Sequence, residues 1–147
     1  MEHLEMDEIE ALALLNTMRN SVVNLPHGGA KGGLSINPRN YSTRELERLT
    51  RQFTIRMAKK SSIGAAKDVW SNDVGTNESE MNWIHSTMHE HYGHEDINSE
   101  GAVSGKSDIL GGVRGRDEAP GFGVYVCART ILNNTALTKK MKISPGI

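Results

Sequence analysis

The sequence predicts a single α/β domain in which a mixed β-sheet is flanked by helices. Segments with helical apolar spacing alternate with short runs that read as strands, the order expected of a layered α/β architecture. The 147 residues are enough for one hydrophobic core and contain no internal repeat.

The first helix is expected with Asp7 as its cap and with Ile9, Leu12, Leu15 and Met18 along one side. Ser21-Val22-Val23-Asn24-Leu25 then reads as a short strand that runs into a glycine-rich stretch. Leu34-Ser35-Ile36 reads as a second strand, broken by Asn37-Pro38. Ser42 and Glu45 have capping-box spacing, because hydroxyl and carboxylate can each satisfy an orphan backbone N–H. Leu46, Leu49, Phe53 and Met57 follow on one helix face, and Lys59 and Lys60 close the helix where its dipole favours cations. Lys67-Asp68-Val69-Trp70 reads as a short strand or an extended loop. Asn77 and Glu80 form a second capping-box pair, opening a helix that buries Met81, Ile84 and Met88. Residues 93–123 are rich in glycine and charge, with one strand-like piece at Ala102-Val103-Ser104. A last helix is expected from about Gly123 to Asn133.

Seventeen Lys and Arg against 18 Asp and Glu nearly cancel, which removes the electrostatic case for a nucleic-acid partner. No apolar run reaches the length of a membrane span. The single Cys127 excludes an internal disulfide and suits a reducing compartment. The opening MEHLEMDEIEALALL is acidic, unlike the basic start of a secretory signal or a transit peptide, so no targeting segment is expected.

The stretch LPHGGAKGGLSINP, residues 25–38, sets Lys31 between two glycine pairs with no other charge nearby. Glycines let a backbone approach a ligand closely, and a lysine among them is held in a preset position. The same residues also describe a glycine-rich turn carrying an exposed lysine. Asp73 reads equally as a loop or helix-cap aspartate before Gly75, and Arg19 as a helix C-terminal cation. His85 and His89, one helical turn apart and followed by His91 and His94, share a helix face with zinc-ligand spacing. They also describe a solvated helix end opposite the apolar face. No Glu follows His85, so the metalloprotease motif is absent.

Leu25, Gly28, Gly29, Ala30, Lys31, Gly33, Asn37 and Pro38 resemble the active-site signature of the Glu/Leu/Phe/Val dehydrogenases, and GGAKGG is similar to its glutamate dehydrogenase branch. The resemblance continues through INPRNYSTRELERLTRQFTIRMAKK, DVGTNESEMNWI and SGKSDILGGVRGRDEAPGFGV, nearly the whole chain from Asp7 onward. It implies reversible oxidative deamination of an L-amino acid, here L-glutamate to 2-oxoglutarate, with hydride passing to NAD or NADP. Lys31 matches the catalytic lysine of the family, and Asp73 the aspartate that moves protons between water and the substrate amine. Arg19 lies where the family usually has a lysine that holds the substrate carboxylate. The resemblance also implies a substrate-binding role for Gly29, and Arg116 matches an arginine near the interdomain cleft.

The resemblance further implies that residues 1–134 are the family's dimerisation and substrate-binding domain, and 135–147 the start of a connection toward a dinucleotide-binding domain. No G-x-G-x-x-G lies between a strand and a helix, and Gly121-Phe122-Gly123 only begins such a pattern. The chain is therefore expected to be a truncated, homo-oligomeric dehydrogenase of the cytoplasm or mitochondrial matrix, inactive alone. A non-catalytic oligomerisation module of the family, or a histidine-based metal domain, are the alternatives. Trp70-Ser71-Asn72 replaces the family's usual proline-alanine-proline before its aspartate, which is expected to bear on where Asp73 sits relative to Lys31. Ala119-Pro120-Gly121-Phe122-Gly123 replaces its ATGRG-like turn, and Pro120 removes a backbone donor.

Overall fold

The computed structural model describes residues 4–143, in one unit that ends at Gly112 and a second that begins at Val113. The first unit contains helices α1 (Met6–Val22), α2 (Thr43–Lys59) and α3 (Glu78–Tyr92), with strands β1 (Trp70–Ser71) and β2 (Val103–Ser104). Helices α4 (Ala119–Asn133) and α5 (Thr135–Lys140) make up the second. The strands pair in parallel, with Trp70 opposite Val103 and Ser71 opposite Ser104. A small parallel sheet with helices about it is the mixed α/β arrangement expected.

Both capping boxes form. Ser42 N–H donates to Glu45 Oε2 at 2.8 Å, and Asn77 N–H to Glu80 Oε2 at 2.7 Å, so the carboxylates close the first turns of α2 and α3. The core lies where α3 meets β2: Met81, Ile84 and Met88 of α3 pack with Ile63, Ala102 and Val103, and Ala58, Trp70 and Tyr92 border them. Helix α3 is tied to α2 by Arg51. Its guanidinium donates to Glu47 Oε1 at 2.8 Å, to Ser86 Oγ at 2.8 Å and to Thr87 Oγ1 at 3.0 Å. One side chain thus satisfies acceptors on both helices.

Several expected boundaries move. Helix α1 starts at Met6 after Glu5, so Asp7 sits in its first turn, where a carboxylate favours the positive end of the dipole, and is not the cap. Ser21 and Val22 remain helical, and no strand forms at 21–25 or at 34–36. The carbonyls of His27 and Gly28 and the N–H of Gly29 are taken by side chains of α1, which removes them from any β-ladder. The last long helix begins at Ala119, ahead of Gly123, because Pro120 in its first turn costs no helical hydrogen bond. Helix α5, capped by Asn134, was not anticipated.

Removing the Arg51 clamp should loosen the α2–α3 layer. Arg51→Met keeps the aliphatic stem but leaves Ser86 and Thr87 without their cross-helix donor. Urea titration should show a loss of about 1–2 kcal/mol, as for a few partly exposed hydrogen bonds. A loss below about 0.3 kcal/mol would contradict the clamp.

Candidate active site

The position of Lys31 is set from α1. Just past that helix Asn24 adopts φ 56°, a left-handed conformation that asparagine enters more readily than most residues, and the chain turns back. Leu25 N–H bonds to Asn20 O at 2.9 Å. The glycine stretch then retraces the helix. Asn20 Nδ2 donates to His27 O at 3.2 Å and Gly28 O at 3.1 Å, and Gly29 N–H donates to Thr17 Oγ1 at 2.8 Å. The Thr17 hydroxyl donates its own proton to Ala13 O at 3.1 Å. Gly29 comes so close that a Cβ would collide with Ala13 O and the backbone of Thr17, so glycine is required there by packing. Lys31 emerges two residues later, its side chain 26% exposed.

Asp73 arrives from the other direction, two residues beyond β1 and just before α3. Its N–H donates to Thr76 Oγ1 at 2.8 Å, and Val74 N–H donates to Asp73 Oδ1 at 2.9 Å. Gly75, at φ 79°, supplies the left-handed residue that closes this turn. With Oδ1 held by the turn, Oδ2 faces Lys31 and accepts a hydrogen bond from its ammonium. That bond holds the Asp73 carboxyl below its ordinary value. Partial burial opposes the shift, while the Lys31 charge, the Val74 N–H and the Arg19 charge reinforce it.

Trp70 leaves this meeting intact. Its indole stacks on Phe53 of α2 with ring centroids 5.3 Å apart and donates Nε1–H to Asp68 Oδ2 at 3.1 Å. The bulk that replaces a proline is absorbed on the α2 side of β1. Arg19 is exposed in the last turn of α1, where it complements the helix dipole and lies within electrostatic reach of Asp73. Lys31, Asp73, Arg19 and Gly29 share the first unit. Arg116 belongs to the second, half-buried in the turn before α4, with its N–H on Val113 O at 3.3 Å. Thr17 and Asn20 were missed. Their signal was the stripe Ala13, Thr17, Asn20 on α1, at a spacing that places small and polar groups on one side of a helix.

His89, His91 and His94 are exposed, as in a solvated helix end, and His85 alone departs from it. His85 is 6% exposed, and neither ring nitrogen has a partner among the described residues. Its ring stacks on that of His89 at 6.2 Å and 12°. Nitrogen lone pairs lie in the ring plane, so parallel rings do not converge on one ion, and no group of three or more ligands suited to a metal occurs among the described residues. Both rings border an open cleft of 260 Å³ with Glu100, Ile109, Leu110 and Gly111. Gly121 and Gly123 lie inside α4, not between a strand and a helix. The described residues therefore do not fit the phosphate cradle of a dinucleotide.

The family model for the Glu/Leu/Phe/Val dehydrogenase dimerisation domain matches residues 1–90. The chain is 40% identical over 146 residues to the mitochondrial glutamate dehydrogenase of Dictyostelium discoideum, covering 99% of this chain and 29% of that protein. It is 43% identical over 123 residues to the glutamate dehydrogenase of Thermotoga maritima, covering 84% of this chain and 28% of that one. Among solved structures it is similar to a leucine-bound hetero-hexameric glutamate dehydrogenase from Thermus thermophilus, with TM-score 0.81, 32% identity and 97% of this chain covered against 32% of that one. The glutamate dehydrogenase of Peptoniphilus asaccharolyticus gives TM-score 0.77 and 34% identity, covering 97% of this chain and 34% of that one. The chain spans about a third of the length of these relatives.

Burial holds His85 below the ordinary histidine value of 6.5; the charges of Lys106 and His89 act in the same direction, and Glu100 opposes them. The unfolded chain therefore binds more protons than the folded one as the pH falls through 6.5, and stability is lost over that fall while remaining unaffected above it. The wild-type urea midpoint should drop between about pH 7.5 and 5.5, and that of His85→Gln should drop less. Parallel profiles for the two proteins would contradict this account of His85.

Proposed function

This chain belongs to the Glu/Leu/Phe/Val dehydrogenase family, and on that premise we propose that Lys31 and Asp73 are the substrate-handling pair of a glutamate dehydrogenase. The reaction proposed is reversible oxidative deamination of L-glutamate to 2-oxoglutarate with NAD or NADP as hydride acceptor. The observation that carries this reading is the hydrogen bond from the Lys31 ammonium to the Asp73 carboxylate, made by groups that reach the same point from distant parts of the chain.

In the resting arrangement Asp73 occupies the acceptor position beside the ammonium. A bound 2-oxo acid or carbinolamine takes that place with its oxygen, and Lys31 then stabilises the negative charge that develops there. Asp73, released from Lys31 but still held by Val74 N–H, receives a proton from the attacking water and passes it to the departing amine. Arg19 supplies a cation for a substrate carboxylate, with a broader and more directional fork than an ammonium. Because the described residues do not fit a dinucleotide, no step of the hydride transfer is assigned to them.

Residues 1–134 are proposed as the domain that binds substrate and builds the oligomer, with 135–147 leading out of it. The exposed apolar residues Met6, Leu14, Leu15, Met18 and Val22 of α1 support an assembly role, since a helix in water ordinarily covers such side chains. Among the described residues no helix is long and apolar enough to cross a membrane. The cytoplasm and the mitochondrial matrix are the compartments proposed.

NMR titration of the 147-residue chain with 2-oxoglutarate tests the reading. The side-chain signals of Lys31 and Arg19 should shift together, with an affinity near the millimolar scale, about −4 kcal/mol, and Lys31→Ala should abolish the response. Shifts confined to other residues, or an unchanged response in Lys31→Ala, would sink the assignment. Glutamate with NAD or NADP should give no turnover by the chain alone, because nothing among its described residues holds a nicotinamide against the substrate carbon.

A further inference from the structure

We infer that Thr17 and Asn20 are positioning residues for Lys31, acting by strapping the backbone of residues 27–29 against α1. The inference rests on the proposed role of the Lys31–Asp73 pair only for its functional meaning; the geometry of the strap stands by itself.

Thr17 has one hydroxyl proton, and it goes to Ala13 O at 3.1 Å, so toward Gly29 the oxygen can act only as an acceptor. The Gly29 N–H at 2.8 Å is thereby paired in one orientation. Asn20 presents its amide N–H₂ to two successive carbonyls, those of His27 and Gly28, and so fixes the direction of the chain as well as its distance from the helix. The missing Cβ of Gly29 lets the backbone come near enough for both straps to close. Lys31 follows Gly29 by two residues through Ala30, and beyond it Gly33 packs toward Leu4, where a Cβ would come within 3.2 Å of Cδ2. The hydrogen bonds that hold the loop thus lie just ahead of the lysine. A lysine side chain carries large rotational freedom, so a fixed backbone anchor is what brings its ammonium to one carboxylate.

Arg19 lies between the strap residues in sequence but about 100° or more from either around the helix axis. Variants of Thr17 or Asn20 therefore leave the Arg19 charge in place, and any change at Asp73 is read through Lys31. The charged groups that act on Asp73 are Lys31 from the glycine stretch and Arg19 from α1.

The 147-residue chain tests this through two NMR readouts, hydrogen exchange of the Gly29 amide and the pH titration of the Asp73 carboxyl. Thr17→Val keeps the shape and removes the hydroxyl, and Thr17→Ser restores it. Thr17→Val should speed Gly29 exchange about fivefold or more, as expected for one lost hydrogen bond. It should also move the Asp73 titration up toward its ordinary 3.8, with α3 amide signals unchanged. Asn20→Ala should do the same, and Thr17→Ser should match the wild type. If Thr17→Val and Asn20→Ala leave Asp73 titrating as in the wild type, the positioning role is overturned, whatever Gly29 exchange shows. Lys31→Met separates this outcome from failure of the pair itself. An Asp73 titration unmoved by Lys31→Met would overturn the paired reading of the site, and the inference with it.

Discussion

The close approach of the glycine stretch to α1 is the constraint on which the site depends. A backbone can lie against a helix only where no Cβ intervenes and where its own polar groups find partners. Gly29 meets the first condition, and Thr17 and Asn20 meet the second. With it go the reversal at Asn24 and the delivery of Lys31 to one side of the first unit. The segment gives up ladder hydrogen bonds and gains side-chain ones. The lysine it carries therefore stands on an anchored backbone.

The other half of the site is built by different means. Asp73 is fixed by a local turn between β1 and α3, and that turn is held in place by the sheet pair on one side and the α3 capping box on the other. Arg51 and the Met81–Ile84–Met88 face of α3 then join this layer to α2. Lys31 and Asp73 thus belong to separately stabilised pieces of one unit. Their hydrogen bond needs both pieces intact, and it lies in a partly exposed setting.

Much of this was legible in the sequence, and the pattern of successes is physical. Helices α2 and α3 announce themselves because capping boxes and apolar spacing are local properties, readable within a few turns. Lys31 and Asp73 were singled out through a long motif, and their side chains share a hydrogen bond in the structure; the roles the motif implies for them are a proposal. The strand expected at 21–25 failed because β-branched residues there favour extended backbone only if a partner strand exists, and the helix-to-loop reversal takes that partner away. His85 was misplaced for a related reason: histidines in a polar run look solvated, while this ring is buried by the tertiary fold. The role of Trp70 was equally out of reach, since its stacking partner Phe53 lies on another helix.

We propose that Lys31, Asp73 and Arg19 form one site for a small oxo acid, assembled by this chain's own fold. A crystal structure of the 147-residue chain soaked with 2-oxoglutarate is its most direct test. The account predicts the oxo group within hydrogen-bonding distance of Lys31 Nζ, about 3 Å, a carboxylate on Arg19, and residues 27–29 still strapped to α1. Lys31 and Asp73 found well apart, or the acid bound away from both, would contradict it.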